Sequence, residues 1–192
     1  VKSDGRLSGS DNPAIGAAAD TIVEGVPAPA TDITGAARTK KEAGAYAFDP
    51  TMVFVGENSG EETGSSSKPY TSVSHAVAAG GTNIVVKPGA YEEDGVTIPA
   101  GTTVKPYGEN GSVVLNGAVA VNGGSVSGVV FSGAVTVSGS DSELKNDQFK
   151  AALKVVGAAD SLISSNDIQA GLDLSGDTGT TVENNVISGA AA

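Results

Sequence analysis

The chain has 192 residues, enough for one domain, and its formal net charge of −11 at pH 7 argues against nucleic-acid binding because the phosphates would be repelled. It contains no Trp and only four Phe and four Tyr, so its core must be built mainly from aliphatic side chains. Because it has no Cys, the redox compartment cannot be inferred from disulfides. No apolar run approaches the roughly 20 residues that cross a membrane as a helix, so we expect no membrane insertion.

The first 48 residues differ in pattern from the remainder. They are rich in Gly, Ala, Ser and charged residues, and they end in Ala45-Tyr46-Ala47-Phe48, an alternation typical of a strand with aromatics on one face. Asp49-Pro50 then interrupts the pattern. We therefore divide the chain into an N-terminal extension, residues 1–48, and a second unit, residues 49–192, with a flexible tail as the alternative for the extension.

Residues 49–122 alternate short apolar runs with turns and carry one helix signal. Met52–Gly56 and Thr82–Lys87 have the composition of strands. Between them, Thr71-Ser72 is suited to cap a short helix that ends at Gly80-Gly81. The apolar face of this helix consists of Val73, Ala76 and Val77. Less regular apolar runs follow at Val96-Thr97-Ile98, Val104, Val113-Val114-Leu115, Val119 and Val121.

Residues 126–187 repeat one pattern four times. Its anchors, spaced by 18, 19 and 19 residues, are Phe131, Phe149, Ile168 and Ile187. The apolar residues five positions before the anchors are Val126, Leu144, Ile163 and Val182. Apolar residues also recur four and six positions after the first three anchors, at Val135 and Val137, Leu153 and Val155, and Leu172 and Leu174. A fixed period of this length indicates stacked structural repeats.

Each repeat contains short segments that alternate inward and outward, separated by Gly, Ser, Asn and Asp, so we interpret it as one coil of three strands and three turns. Stacking the coils places Leu153 beside Val135 and Leu172 in the interior. The same stacking places Lys154 beside Asp173 on the outside, where a solvated ion pair is expected. The pattern therefore predicts an all-β parallel β-helix.

Three motifs near the start of the second unit carry a family resemblance. They are Val53-Phe54-Val55-Gly56, Lys68-Pro69-Tyr70 and the run from Ile84 to Tyr91. With the short helix among them, they resemble the start of secreted bacterial and archaeal pectate-lyase-like proteins. The resemblance implies an all-β, right-handed parallel β-helix (solenoid) with a short N-terminal capping helix, here preceded by an N-terminal extension. It also implies an extracellular or cell-surface location.

A second resemblance lies in the extension. It is carried by Asn12-Pro13-Ala14-Ile15, by Asp32, Gly35 and Arg38, and by Gly44-Ala45-Tyr46 with Phe48. This pattern resembles the segment that closes the C-terminal end of many secreted bacterial parallel β-helix proteins, although Ala43 stands where an acidic residue is usual. In that family the segment follows the coils, whereas here it precedes them.

The two ends of the chain together predict assembly. Ile187 is followed by Ser-Gly-Ala-Ala-Ala rather than by a strand such as Leu172-Asp173-Leu174, so the last coil has an edge open to another chain. We expect this edge at Ile187 to receive the closing segment of another copy, or of a neighbouring repeat of the same protein, in a head-to-tail filament or surface layer. Closure within one chain is the alternative. The residues of the segment assigned to this contact are Pro13, Ile15, Asp32, Arg38, Tyr46 and Phe48.

Polar side chains recur two positions before the last three anchors, at Asp147, Asn166 and Asn185. Stacked Asn residues satisfy backbone groups at solenoid turns, and we favour such a structural ladder over ligand binding.

Calcium is the one cofactor that the sequence admits, and none is required. Hard oxygen ligands could come from Glu57, Asn58, Glu61 and Glu62, or from Glu92, Glu93 and Asp94, although neither group has the spacing of a dedicated calcium loop. Solvated acidic loops are the simpler interpretation.

No catalytic residue is assigned. A polysaccharide lyase needs a base and a cation that neutralises a uronate carboxylate, usually Arg, yet no Arg follows Arg38. The single His, His75, lies on the predicted helix away from its apolar face. We therefore expect a non-catalytic structural module, with a polysaccharide-binding or polysaccharide-lyase-like protein as the alternative.

Overall fold

The computed structural model describes residues 51–189 except 94 and 178, together with 21–23, 26, 27, 30, 31 and 37. Asp94, one of the calcium candidates, therefore lies outside the described residues. So do the six residues of the extension assigned to assembly, which are Pro13, Ile15, Asp32, Arg38, Tyr46 and Phe48. The division at residue 48 stays a prediction.

Within the described residues the chain forms one short helix and 20 strands of two to six residues. In chain order they are β1 (Thr21–Val23), β2 (Val26–Pro27), β3 (Met52–Val55), α1 (Val73–Ala78), β4 (Asn83–Val86), β5 (Gly89–Glu92), β6 (Val96–Pro99), β7 (Thr103–Pro106), β8 (Val113–Asn116), β9 (Val119–Asn122), β10 (Ser125–Ser127), β11 (Val130–Phe131), β12 (Val135–Ser138), β13 (Glu143–Lys145), β14 (Gln148–Phe149), β15 (Leu153–Val155), β16 (Ala159–Ser164), β17 (Asp167–Ile168), β18 (Leu172–Asp173), β19 (Gly179–Glu183) and β20 (Val186–Ile187).

The strands from β3 onward form three parallel sheets around one core. The seven-stranded sheet has the order β19-β16-β13-β10-β7-β4-β3, and the other two have the orders β20-β17-β14-β11-β8-β5 and β18-β15-β12-β9-β6. From β4 onward every third strand returns to the same sheet, which is the topology of a solenoid. The predicted all-β parallel β-helix is thus confirmed, with about five turns. Strands β1 and β2 form a separate antiparallel pair.

The repeat positions align on successive coils as predicted. Strand register links the four anchors in order, Phe131, Phe149, Ile168 and Ile187. The Phe131 and Phe149 rings are fully buried and stack with centroids 5.0 Å apart and an interplanar angle of 13°. This geometry provides aromatic packing along the solenoid axis in a core that is otherwise mainly aliphatic.

The strand phase around Leu153 is also confirmed. Leu153 is fully buried and pairs in register with Val135 on one side and Leu172 on the other. The next side chain, that of Lys154, points outward, and its Nζ lies 3.7 Å from the Asp173 carboxylate on the next coil. The alternation of buried and exposed residues therefore follows the pleat of β15.

Leu174 departs from the predicted pattern. The repeat predicted an inward position equivalent to Val155, but β18 ends at Asp173 and Leu174 is 37% exposed. A turn replaces the end of the strand, because the Asp173 carboxylate accepts a hydrogen bond from Ser175 N–H and the Leu174 carbonyl accepts one from Asp177 N–H. The local turn chemistry overrides the apolar period at this point.

The predicted capping helix is present as α1. Ser72 is its N-cap, and the Ser72 hydroxyl accepts a hydrogen bond from His75 N–H at 3.1 Å. The buried Glu93 carboxylate accepts two further bonds, from Val73 N–H at 2.6 Å and Ser74 N–H at 3.0 Å. Since α1 contacts β3, β4 and β6, this carboxylate fastens the helix over the first coils and closes the N-terminal end of the solenoid.

Candidate functional site: the polar ladder and the open end

The turns before β14, β17 and β20 contain Asp147, Asn166 and Asn185. Each Oδ1 atom accepts a hydrogen bond from a backbone N–H one coil earlier. Val129 donates to Asp147 at 2.8 Å, Asp147 donates to Asn166 at 2.8 Å, and Asn166 donates to Asn185 at 2.9 Å. Asp147 and Asn166 are buried, and Asn185 is half-buried. The three side chains form a polar ladder that runs along the solenoid.

This polar ladder has a direction. Asn166 Nδ2 donates to the Leu144 carbonyl at 3.0 Å, and Asn185 Nδ2 donates to the Ile163 carbonyl at 2.8 Å, so both polar groups of each Asn reach the preceding coil. Leu144 and Ile163 are in register with Val182 on the last coil. A further coil beyond Asn185 would therefore meet the Asn185 N–H and the Val182 carbonyl.

The backbone just before the ladder residues explains the turn. Asn146, Ser165 and Asn184 each have φ near +58°, in the left-handed region that non-glycine residues seldom adopt. Short polar side chains tolerate this region best, which accounts for the Asn and Ser at these positions. The left-handed residue turns the chain so that the next side chain enters the ladder.

Asn166→Ala is expected to lower the free energy of unfolding by about 1–3 kcal/mol, because the buried Asp147 N–H and Leu144 carbonyl lose their partner. Asn166→Asp should also destabilise at pH 7, since it removes the donor to Leu144 and brings a second carboxyl beside Asp147. Urea denaturation of both variants measures the effect. An Asn166→Ala curve that overlays the wild-type curve would show that the side chain contributes nothing.

The C-terminal end of the solenoid exposes apolar surface. Strands β18, β19 and β20 lie at the outer edge of the three sheets, with no further strand beyond them in the part of the chain that the structure describes. Ile187 belongs to the inward column of Phe149 and Ile168, which are fully buried, yet it is 41% exposed. Val186, on the outward side of β20, is 65% exposed. We call the surface formed by these three strands the open end.

The open end is acidic. No Lys or Arg follows Lys154, whereas five acidic residues do, and these are Asp160, Asp167, Asp173, Asp177 and Glu183. Hydrogen bonds from Ser175, followed by the positive charge of Lys154, lower the pKa of Asp173, so this carboxylate is ionised at neutral pH. The open end would therefore favour a partner that carries positive charge.

A cleft of about 530 Å³ lies at the other end of the solenoid, beside α1. The His75 ring bonds through Nδ1 to Glu62 at 2.9 Å, and Glu62 also accepts a hydrogen bond from the Thr71 hydroxyl. The His75 side chain is more than half exposed, as expected of a surface His. Side chains of the cleft lining include Glu57, Asn58, Thr71, His75, Tyr91 and Glu92.

Of the described calcium candidates, Glu57 and Glu92 both line the cleft beside α1, whereas Glu61 lies outside its lining. Glu61 forms an ion pair with Lys68 at 2.8 Å, which lowers the pKa of Glu61. Glu92 accepts a hydrogen bond from Asn116 Nδ2 at 2.7 Å. Among the described residues, no three His, Cys, Asp or Glu side chains are grouped to hold a metal ion.

The sequence indicated Glu93 only as one of several possible calcium ligands and did not predict its role in holding α1. Glu93 stands between two other calcium candidates in an acidic run, and nothing in its spacing separates it from them. In the fold its side chain is buried under α1, whereas the Glu92 side chain points outward. The alternation of a strand is the signal that distinguishes the two, but β5 ends at Glu92.

Comparisons of this chain with protein-family models, with curated proteins and with solved structures find no match. In the described part of the chain, no helix has the length and apolar character that a membrane span needs.

Proposed function

We propose that this protein is a non-catalytic, extracellular structural module that assembles head to tail, with the N-terminal segment of one copy adding a strand to the open end of the next. The observation that carries this proposal is the exposure of Ile187 at the end of a column whose other members are buried. Three parallel strand edges surround it and offer backbone groups to an incoming strand.

The closed N-terminal end determines the kind of contact. Helix α1 packs over the first coils and is fastened there by Glu93, which disfavours flat docking of a second solenoid against β3 and β6. A segment outside the solenoid can bridge two copies instead. The chain before β3 is such a segment, with about 50 residues available.

Charge supports the same partner. Arg38, Lys40 and Lys41 form a basic group in the N-terminal segment, and the open end has acidic residues without a Lys or Arg after Lys154. Opposite charges steer association and fix the orientation of docking. The acidic end thus favours this part of the segment over a second acidic solenoid face.

Chain length favours assembly between copies over closure within one chain. The four residues from Phe48 to Met52 span at most about 14 Å. Strands β3 and β19 lie at opposite edges of the seven-stranded sheet, and six strand spacings of about 4.8 Å separate them by about 29 Å. This difference supports a contact of Tyr46 and Phe48 with the open end of another copy rather than with that of their own solenoid.

Deleting residues 1–48 is expected to give soluble monomers, whereas the full chain forms filaments or higher oligomers that grow with concentration. The synthetic 1–48 peptide should bind the deleted protein and block assembly of the full chain. Light scattering with electron microscopy measures both outcomes. A full-length protein that stays monomeric at high concentration, together with a deletion variant that merely unfolds, would contradict the proposal.

Two substitutions on one strand provide a matched pair. Ile187→Asp should abolish assembly, because the inward side chain of an incoming strand would pack against it in the same column. Val186→Asp, next to it but outward, should leave assembly intact. Both residues are exposed, so neither change is expected to unfold the protein. Equal loss of assembly in the two variants would show that the contact uses the outer face of β20 instead.

A second candidate function is polysaccharide binding or lyase-like activity, favoured by the cleft beside α1. Its acidic, hydroxyl and imidazole groups would suit a sugar ligand, although the buried Phe131 and Phe149 rings offer no stacking surface. Incubation with alginate, pectate and chondroitin, followed by absorbance of unsaturated products, tests turnover. Turnover abolished by His75→Ala, a change in the cleft lining, would favour this function over the structural one.

A further inference from the structure

Asp147 is the one carboxylic acid in the polar ladder, where the next two coils carry Asn. It is 2% exposed, and its Oδ1 atom accepts the Val129 N–H at 2.8 Å, as the Asn oxygens do on their coils. Its second oxygen, Oδ2, is buried without a hydrogen-bond partner among the described residues. Such an orphaned oxygen is costly in a folded protein and calls for a physical explanation.

The register identifies what Oδ2 faces. On the next two coils the equivalent atom is an amide nitrogen that donates to the carbonyl of Leu144 or Ile163. The equivalent carbonyl for Asp147 is that of Val126, which pairs in register with Leu144. An ionised Asp147 would place its Oδ2 atom against the Val126 carbonyl oxygen, and neither atom could donate a hydrogen bond. A protonated carboxyl would donate to the carbonyl and reproduce the Asn arrangement.

Among the residues that the structure describes, no cation is positioned to stabilise the ionised form. Residues 110–140, which include the whole preceding coil, contain no ionisable side chain. On its own coil, Lys145 and Lys150 are exposed, and Glu143 accepts a hydrogen bond from Ser125. On the following coil, Asp167 is held by Gln148 and Gln169. Among the other neighbours, Asp160 and Lys154 are exposed at the surface.

We propose that Asp147 is a proton-dependent latch, which joins its coil to the preceding one when protonated and loosens that junction when it ionises. The environment supports this assignment, because burial raises the pKa of Asp147 well above its usual range even though the backbone amides of Val129, Lys145 and Gly128 act in the opposite direction. As pH rises, Asp147 therefore loses its proton at a lower pH in the unfolded chain than in the folded protein.

The sign of the pH dependence follows. An acid with a raised pKa in the folded state contributes its full stability below the unfolded pKa of about 3.9, and this contribution is lost as pH rises through the folded pKa. Between these two values the ratio of folded to unfolded protein falls about tenfold per pH unit on account of Asp147 alone. The junction between these two coils is thus expected to be more stable at low pH than at neutral pH, which is the opposite of the usual effect of protonating a carboxylate in a folded protein.

The test compares Asp147→Asn with wild type at pH 4 and pH 8. We expect similar melting temperatures at pH 4 and a clearly higher one for the variant at pH 8. Asp167→Asn, a half-buried acid on the next coil, is the control and should show no such pH-dependent gain. Amide hydrogen exchange should show opening at Val129 that increases with pH in wild type beyond the intrinsic rate, and less so in Asp147→Asn.

A carboxyl carbon titration by NMR on the wild-type protein keeps the test independent of the variants. An Asp147 midpoint above those of the exposed aspartates supports the latch. An Asp147 midpoint at or below the ordinary range would overturn it, as would an Asp147→Asn melting shift that is equal at both pH values.

Discussion

Leu153→Ala is expected to lower the free energy of unfolding by about 2–5 kcal/mol, the range for a buried Leu that leaves a cavity. The side chain is fully buried and contacts in-register neighbours both above and below, Val135 and Leu172. Short strands fixed on both sides leave little freedom to collapse into the space, so we expect the upper half of that range. Urea denaturation, with constant slope and a shifted midpoint, measures it.

Lys154→Ala is the matched control. Its side chain is half exposed and its nearest carboxylate, that of Asp173, is 3.7 Å away, so water screens the pair and the denaturation midpoint should hardly move. If the two variants lost equal stability, the assigned phase of β15 would be wrong, because a shift of one residue exchanges the inward and outward faces.

Gly133→Ala is expected to cost about 3 kcal/mol, at the upper end of the range for overpacking. A Cβ at this position would lie 1.8 Å from the Gly117 carbonyl oxygen and 2.3 Å from its carbon. Both atoms are backbone, so the clash cannot be relieved by a side-chain rotation and two coils must separate locally. Thermal unfolding followed by circular dichroism measures the loss.

Gly60→Ala separates this clash from the general effect of replacing Gly. Its added Cβ would meet only the Asn58 side chain, at 3.8 Å, in an exposed loop. We expect a change within about 0.5 kcal/mol. A Gly133→Ala variant as stable as Gly60→Ala would mean that the turns before β9 and β12 do not approach each other as closely as the structure indicates.

The sequence predicted the coils well because their physics is periodic. The anchors and the Leu153 column follow from spacing alone, and the register pairs confirm both. The predicted inward position of Leu174 was wrong, because the hydrogen bond from Ser175 N–H to Asp173 forms a local turn. The spacing of apolar residues carries no information about such a turn. Periodicity identifies the interior, while turn chemistry decides where each strand ends.

The site was only partly accessible from the sequence. Spacing places Asp147, Asn166 and Asn185 at equivalent positions, but it does not say that their side chains bond backward along the solenoid. The role of Glu93 depends on α1 folding back over the first coils, which is a long-range contact. The exposure of Ile187 likewise depends on which strands lie beyond it, and its partner in the extension stays a prediction.

The one-way bonding of the polar ladder bears on how the molecule is made. A ribosome releases the chain from its N-terminus, so α1 and the first coils emerge before the rest. The N–H of Asp147 gains its acceptor only when Asn166 has been synthesised, and the N–H of Asn166 only when Asn185 has been synthesised. In each case the acceptor lies one coil later in the chain. Every nascent coil thus serves as the template for the next, and growth never requires a finished coil to reopen.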